Sequence, residues 1–303
     1  MKPNILVVYY SQSGQLKEIV NQTTYDLNKS QDISLTTYNI KMEEKFPFPW
    51  DFYSFFNAFP DSFLQKKKKI KPIPSEILNQ KYDLILLYYQ VWFLSPSIPI
   101  NSFLRDSQSQ KLLEHTKIIT ISGSRNMWFL AQEKIKVILK EQKAKLVGNI
   151  ALVDHTPNLI SAMTIVNWMF SGVKKRMFNL LPLPGINEKT IQESRRFGKI
   201  ILNSIQNNNY SDLQEKLVLA GAVEVKPFLV SVDKKGNRMF KVWSKMIDSK
   251  QGKQREKFLK FFYYYLIVAI WIISPIVNLL YIIFYPFNYF KYQKQVKYYQ
   301  GIK

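Results

Sequence analysis

The sequence predicts a doubly wound α/β domain: a five-stranded parallel sheet in the order 2-1-3-4-5, helices on both faces, and a membrane-associated helical segment at the C-terminal end. Three observations predict it. Short apolar runs rich in β-branched and aromatic residues alternate with amphipathic runs through the first two hundred residues. The first of these runs passes directly into a hydroxyl-rich loop and a helix start. Near the end of the chain, thirty consecutive residues carry no formal charge.

The elements follow in order. Ile5-Leu6-Val7-Val8-Tyr9-Tyr10 is apolar and β-branched, so a first strand is expected over 4–10. Leu16, Ile19, Val20 and Thr23 share one helical face, giving a helix over about 15–28. A second strand is read over Ile33 to Ile40, followed by a long insertion at 41–72. Asp83 to Gln90 is a third, wholly apolar strand, with a short helix around 99–114 after it. Lys117 to Ser122 is the fourth strand. Trp128 to Lys145 places Ala131, Ile135, Ile138 and Leu139 along one face of a helix. Leu146 to Val153 is the fifth strand, and 187–208 the last helix. The expected organisation is a domain over 1–208, a basic linker or amphipathic region over 209–260, a membrane-inserted segment over 261–290 and a basic tail over 291–303.

The chain has 303 residues, enough for one sizeable α/β domain and an appendage. It has no cysteine, which excludes disulfides, thiolate metal sites and a cysteine nucleophile and fits a reducing or redox-neutral compartment. Two histidines argue against a zinc hydrolase, and no metal site is expected. The first strand is expected to start almost at Met1, so no signal peptide is expected. The net charge is +21, and from Val225 onward fifteen Lys and Arg face three Asp and Glu. Such a balance calls for an anionic partner, a membrane surface or nucleic acid.

Residues 261–290 decide between these. Lys257 and Lys260 precede the run, and Lys291, Lys294 and Lys297 follow it, with aromatic residues gathered at both ends. Cationic flanks and aromatic belts mark a membrane element. Two full spans need about 40 residues. Basic flanks on both sides therefore favour a re-entrant hairpin turning at Ser274-Pro275, with a single kinked span as the alternative. The upstream Lys and Arg residues would lie over anionic headgroups, so nucleic acid is not needed to explain the charge. The expected location is the cytoplasmic face of a bacterial inner membrane.

The first loop carries the chemistry. Ser11, Gln12, Ser13, Gly14, Gln15 and Leu16 join a strand to a helix N-terminus, where backbone N–H groups, hydroxyls and the helix dipole favour a phosphate. The loop lacks the dinucleotide glycine pattern and the Lys-Ser/Thr of a Walker loop. It resembles the FMN-phosphate loop of flavodoxin-like proteins, with Leu16 where that pattern has a small polar residue. A second loop, Gln90-Val91-Trp92-Phe93 and onward to Pro99, is similar to the Pro-Val-Trp-Trp loop of NAD(P)H:quinone reductase-type flavoproteins, with Gln90 in place of Pro. The resemblance implies that Trp92 and its neighbours lie against the flavin ring. A third loop, Ser122, Gly123, Ser124 and Arg125 through Trp128, ends the fourth strand where flavodoxins cover the other side of that ring.

IITISGSRNMW over 118–128 and AKLVGNIALVDHTPNLISAMTIVNWMFSG over 144–172 also resemble the flavodoxin-like dialkylresorcinol condensing enzyme family of bacterial aryl-polyene and flexirubin pathways. That resemblance runs through most of the chain. It implies work beside a partner ketosynthase and an acyl carrier protein, on a long-chain acyl-derived cyclohexanedione that is aromatised to a dialkylresorcinol. Removing two hydrogens suits a flavin hydride acceptor and a base. Candidate catalytic residues are Arg125, a cation for an enolate or carboxylate, and Asp154 with His155 at the end of the fifth strand. Three alternatives stand beside this reading: a membrane-associated quinone reductase using NAD(P)H, a flavin-less scaffold for a ketosynthase, and a non-enzymatic electron carrier, which the net charge of +21 disfavours. The aromatic insertion Phe46 to Pro60 is read either as a lid for an alkyl chain or as a satellite core. Lys66 to Lys69 and Lys71 form a solvated face or a contact with membrane or carrier protein.

Overall fold

The strands in a computed structural model, which describes residues 2–302, are β1 Asn4–Tyr9, β2 Ser34–Asn39, β3 Leu84–Trp92, β4 Ser95–Pro96, β5 Lys117–Ser124 and β6 Lys145–Val153. The five long strands are parallel in the order β2-β1-β3-β5-β6, and the two-residue β4 folds back antiparallel on the end of β3. With β4 set aside, this is the predicted order and a flavodoxin-like sheet. The side chains alternate between two cores, as period-two geometry requires. Ile5, Val7, Leu84 and Leu86 face one layer of helices, and Leu6, Val8, Ile85 and Leu87 face the other.

Among the described residues the helices are α1 Gln15–Thr23, α2 Tyr25–Lys29, α3 Phe52–Phe63, α4 Ser75–Leu78, α5 Ile98–Leu104, α6 Ser107–Leu113, α7 Phe129–Glu141 and α8 Asn158–Ser171. They continue as α9 Glu188–Glu193, α10 Arg195–Gln206, α11 Leu213–Leu219, α12 Pro227–Asp248, α13 Gly252–Val268, α14 Ser274–Phe284 and α15 Tyr289–Gln300.

Several expectations shift. The helix expected over 15–28 breaks at Thr24, between α1 and α2. Nearby, Thr23 Oγ1 shares a hydrogen with the Tyr88 hydroxyl at 2.6 Å, and the backbone of α10 presses on the Thr23 carbonyl at Gly198. The insertion is not plain loop: α3 begins at Asp51, whose Oδ1 accepts from the Ser54 amide at 2.9 Å, and it runs through Pro60 in its last turn. The helix α8 has no counterpart among the predicted elements. It starts after Pro157 and closes on Gly172, which takes the left-handed conformation of a helix C-terminus.

Residues 209–260 are folded onto the domain. Leu213 and Leu217 of α11 are fully buried in the sheet's core, and Val223 bridges Ala151 of β6 in parallel. Helix α12 starts with Pro227 in its first turn and buries Val230, Asp233, Ser244 and Ile247 on one side.

The apolar segment does not turn at Ser274-Pro275. Gly252–Phe284 is one continuous helix of 33 residues, with a π-helical stretch over Ala269–Ile273 just before the proline. Pro275 has no amide hydrogen to give to the preceding turn, and a widened turn there lets the helix continue. The chain bends instead at Pro286–Asn288, so that Tyr292 meets Tyr281 at 5.0 Å between ring centroids. Helix α15 then returns to the domain and buries Tyr299 against Phe129. Gly252–Phe284 is the one helix, among the described residues, that is long and apolar enough to cross a membrane.

Candidate functional site

The carboxyl ends of β1 and β3 mark the point where the strand order reverses, the usual ligand crevice of such a sheet. Gly14 caps α1 with φ +91°, a conformation that only glycine adopts readily, and a side-chain carbon there would meet open space. Ser11 Oγ accepts from the Lys17 amide at 3.3 Å, so its hydroxyl satisfies the first turn of α1. Ser13 is half-buried and Gly14 exposed, at the start of the helix.

The other three loop residues have their side chains directed elsewhere. Gln12 accepts from the Tyr10 hydroxyl at 2.7 Å and donates to the Pro47 carbonyl at 2.5 Å, pinning the insertion to the loop. Gln15 is clasped to Ile186, donating to its carbonyl at 2.9 Å and accepting from its amide at 3.0 Å. Leu16 is in the core against Gly123, which leaves only its backbone for a phosphate.

The second loop is tighter than a ten-residue loop. Gln90, Val91 and Trp92 belong to β3, and the chain reverses at Phe93 and Leu94. Both residues have positive φ, +49° and +59°, which is strained for bulky side chains. Packing holds them. Phe93 lies 5.1 Å from Phe55 and 5.4 Å from Phe59 of α3, and Leu94 presses on Gly236 of α12. Trp92 sits edge-on among Tyr10, Phe46 and Trp50, with centroids 6.3, 5.1 and 5.6 Å away. The insertion therefore packs over this loop, as a satellite core that also covers the site.

At the third loop, Ser122, Gly123 and Ser124 belong to β5, and Gly123 pairs with Gln90 in the ladder. The Ser122 hydroxyl lies beside the Tyr89 phenol. Gln90 Oε1 and Ser124 Oγ are buried with no hydrogen-bond partner, as are Asn126 Oδ1 and the Trp128 indole nitrogen. A buried polar atom without a partner is costly and can receive a ligand's polar group. Gln90 pairs with Gly123, so the Gln90 and Ser124 side chains leave the sheet on opposite faces.

Arg125 donates from Nη1 to the Asn158 carbonyl at 3.1 Å. Burial lowers its pKa to about 10, against the pull of nearby Asp154, so it stays cationic at neutral pH. Asp154 and His155 part company. Asp154 is buried, accepting from the Thr156 amide at 2.9 Å and from the Ser161 hydroxyl at 2.6 Å, and it holds the entry to α8. His155 is exposed, with Nδ1 3.2 Å from the Glu224 carboxylate. A cleft of about 270 Å³ opens here, lined by Asn126, Asp154, His155, Asn158, Glu224 and Lys226 among others. Glu224 and Lys226 lie far from the three motif loops in sequence, and only the fold brings them to the cleft.

The lysine run of the insertion is partly paired. Lys68 meets Asp61 at 2.8 Å, and Lys66 bonds Asp248 at the end of α12.

No family model and no curated protein matches this chain. Among solved structures it is similar to a flavoprotein in complex with FMN from Lactobacillus acidophilus NCFM, at 20% identity and a TM-score of 0.38, covering 50% of this chain and 93% of that one. It is also similar to a flavodoxin from the domain Archaea, at 13% identity and a TM-score of 0.38, covering 67% of this chain and 99% of that one. The fold assignment rests on the strand order itself.

Proposed function

We propose that this chain is an FMN-binding oxidoreductase that works on a long-chain acyl-derived substrate. The observation that carries the reading is the crevice between β1 and β3. There the Ser11-x-Ser13-Gly14 loop opens a helix, and the buried, unpartnered Gln90 Oε1 stands near the end of β3, in ladder with Gly123 of β5, which faces Leu16 and Ile19 of α1. Ser13 and the amides of the loop would hold the phosphate, aided by the dipole of α1. Gln90 would meet the polar edge of the ring, and Trp92 its apolar surface. Bound FMN would supply a hydride acceptor.

The substrate reading is aromatisation of a dialkyl cyclohexanedione made by a partner ketosynthase and its acyl carrier protein. The sequence resemblance supports it, as does the aromatic insertion beside the loop at Trp92. Arg125 would hold negative charge on the ring oxygen of the substrate. His155, exposed to the cleft and oriented by Glu224, is better placed to exchange a proton than Asp154, whose carboxylate is already committed.

A second reading is favoured by the clasp between Gln15 and Ile186, which commits the first side chain of α1 to the protein itself. It makes the chain a flavin-less scaffold that holds a ketosynthase. Purified protein supplied with FMN and a synthetic dialkyl cyclohexanedione separates the readings. Formation of the resorcinol supports the aromatase. Turnover only with a quinone and NADH or NADPH supports a quinone reductase, and no turnover with either supports the scaffold.

A further inference from the structure

The long apolar helix and α12 lie side by side and antiparallel. Near one end Trp243 of α12 packs on Phe262 and Tyr265, with centroids 5.7 and 5.4 Å away. Near the other end Phe228 of α12 packs on Tyr281 at 5.4 Å. Phe262 to Tyr281 is nineteen residues, or about 28 Å of helix, close to the roughly 30 Å thickness of a bilayer's hydrocarbon core. Both ends of the stretch that would cross a membrane are therefore docked on one helix of the soluble domain. In a crossing orientation, α12 would be drawn into hydrocarbon with Lys234, Lys235, Arg238 and Lys241, all of them exposed.

The exposure pattern fits a different orientation. Phe262, Tyr265, Val277 and Tyr281 form the covered stripe along α12, while Trp271, Ile272, Ile276, Leu279 and Ile283 are exposed. No residue of the most apolar eighteen-residue stretch is buried. Exposed Met239, Val242 and Met246 interleave with the cations of α12, and exposed Lys257, Lys260, Lys291 and Lys294 bracket the apolar face. An uninterrupted apolar face ringed by cations matches the boundary between acyl chains and anionic headgroups.

We propose that Gly252–Phe284 is an in-plane anchor. It lies along the surface of an anionic bilayer with its exposed face in the headgroup–acyl boundary, it stays docked on α12, and it does not cross.

The absence of cysteine makes the test direct. Ile272→Cys in the full chain carries one nitroxide, and the protein is added to vesicles of phosphatidylglycerol and phosphatidylcholine. The expected depth is about 5–10 Å into the boundary. Lys257→Cys and Lys297→Cys should both react with a membrane-impermeant maleimide added outside. Replacing Lys234, Lys235, Arg238 and Lys241 by Gln together should weaken partitioning about tenfold or more. A nitroxide at the bilayer mid-plane overturns the proposal, whether the two labels report the same side or opposite sides. Failure to bind vesicles, with a concentration-dependent dimer in solution, also overturns it and assigns the face to a second copy of the chain.

Discussion

Phe59 of the insertion and Phe262 of the long apolar helix stack face to face, with centroids 3.9 Å apart and planes 10° apart. Phe59 also meets Phe93 at the turn after Trp92. The loop read as the flavin's apolar wall is thus joined to the apolar helix through two phenylalanine contacts. The insertion, which the sequence leaves open as a lid or a satellite core, is the middle of this chain of rings.

Breaking that stack should be costly. Phe262 is fully buried, so Phe262→Ala removes a large core side chain and leaves a cavity. A loss of about 3 kcal/mol is expected. Ile272→Ala, on the exposed face of the same helix, should change stability by less than about 0.5 kcal/mol. Chemical denaturation in detergent measures both, and equal losses would contradict the packing described here.

Gly198 marks where α10 crosses α1. A side-chain carbon at this position would lie 2.0 Å from the Thr23 carbonyl oxygen, a backbone atom that cannot swing aside. Gly198→Ala should destabilise by about 3 kcal/mol or more. An alanine variant with an unchanged melting temperature would show that the two helices are not this close.

Asp233 and Lys134 give the fold a pH signature. Asp233 is buried, accepts from the Leu130 amide at 3.0 Å, and its pKa is raised from 3.8 to about 6 by burial. The folded state therefore binds this proton more tightly than the unfolded chain. Stability should fall as pH rises from about 4 to about 6, by roughly 3 kcal/mol. Burial lowers the pKa of Lys134 from 10.5 to about 8 against the pull of Asp233, so stability should rise again as pH climbs from about 8 to about 10. Asp233→Asn keeps an acceptor for Leu130 and should abolish the lower slope. Melting temperature against pH for both proteins checks this, and an unaltered slope in the variant would refute the assignment.

Gly14→Ala separates the loop from the core. Nothing lies near the added carbon, so the penalty is the positive φ alone, about 1 kcal/mol. Flavin titration should show weaker FMN binding with only that small loss of stability. Unchanged affinity would place the phosphate elsewhere.

The sheet was legible because its strands are continuous apolar runs bounded by turn residues, and their spacing suits the order found. Several helices were not, α3, α4, α8, α11 and α15 among them. In α8 the residues are apolar nearly all round, so no period stands out, and in α3 the crowd of aromatics and Pro60 read as loop. The reversal expected at Ser274-Pro275 failed because a widened helical turn accommodates the proline. In the candidate site, Ser13 and Gly14 follow from local pattern. The clasp of Gln15 on Ile186 joins residues 171 apart, and the isolation of Gln90 Oε1 depends on what the fold brings near it. Neither leaves a mark on local sequence. The separation of Asp154 from His155 is of the same kind, set by Ser161 on one side and Glu224 on the other.

The most direct measurement is the visible absorption spectrum of the full chain purified in mild detergent, followed by heat release and identification of any chromophore. A flavin spectrum with released FMN, or stoichiometric uptake of added FMN, is the expected result. A colourless protein that takes up no FMN would contradict the flavin site and leave the scaffold reading standing.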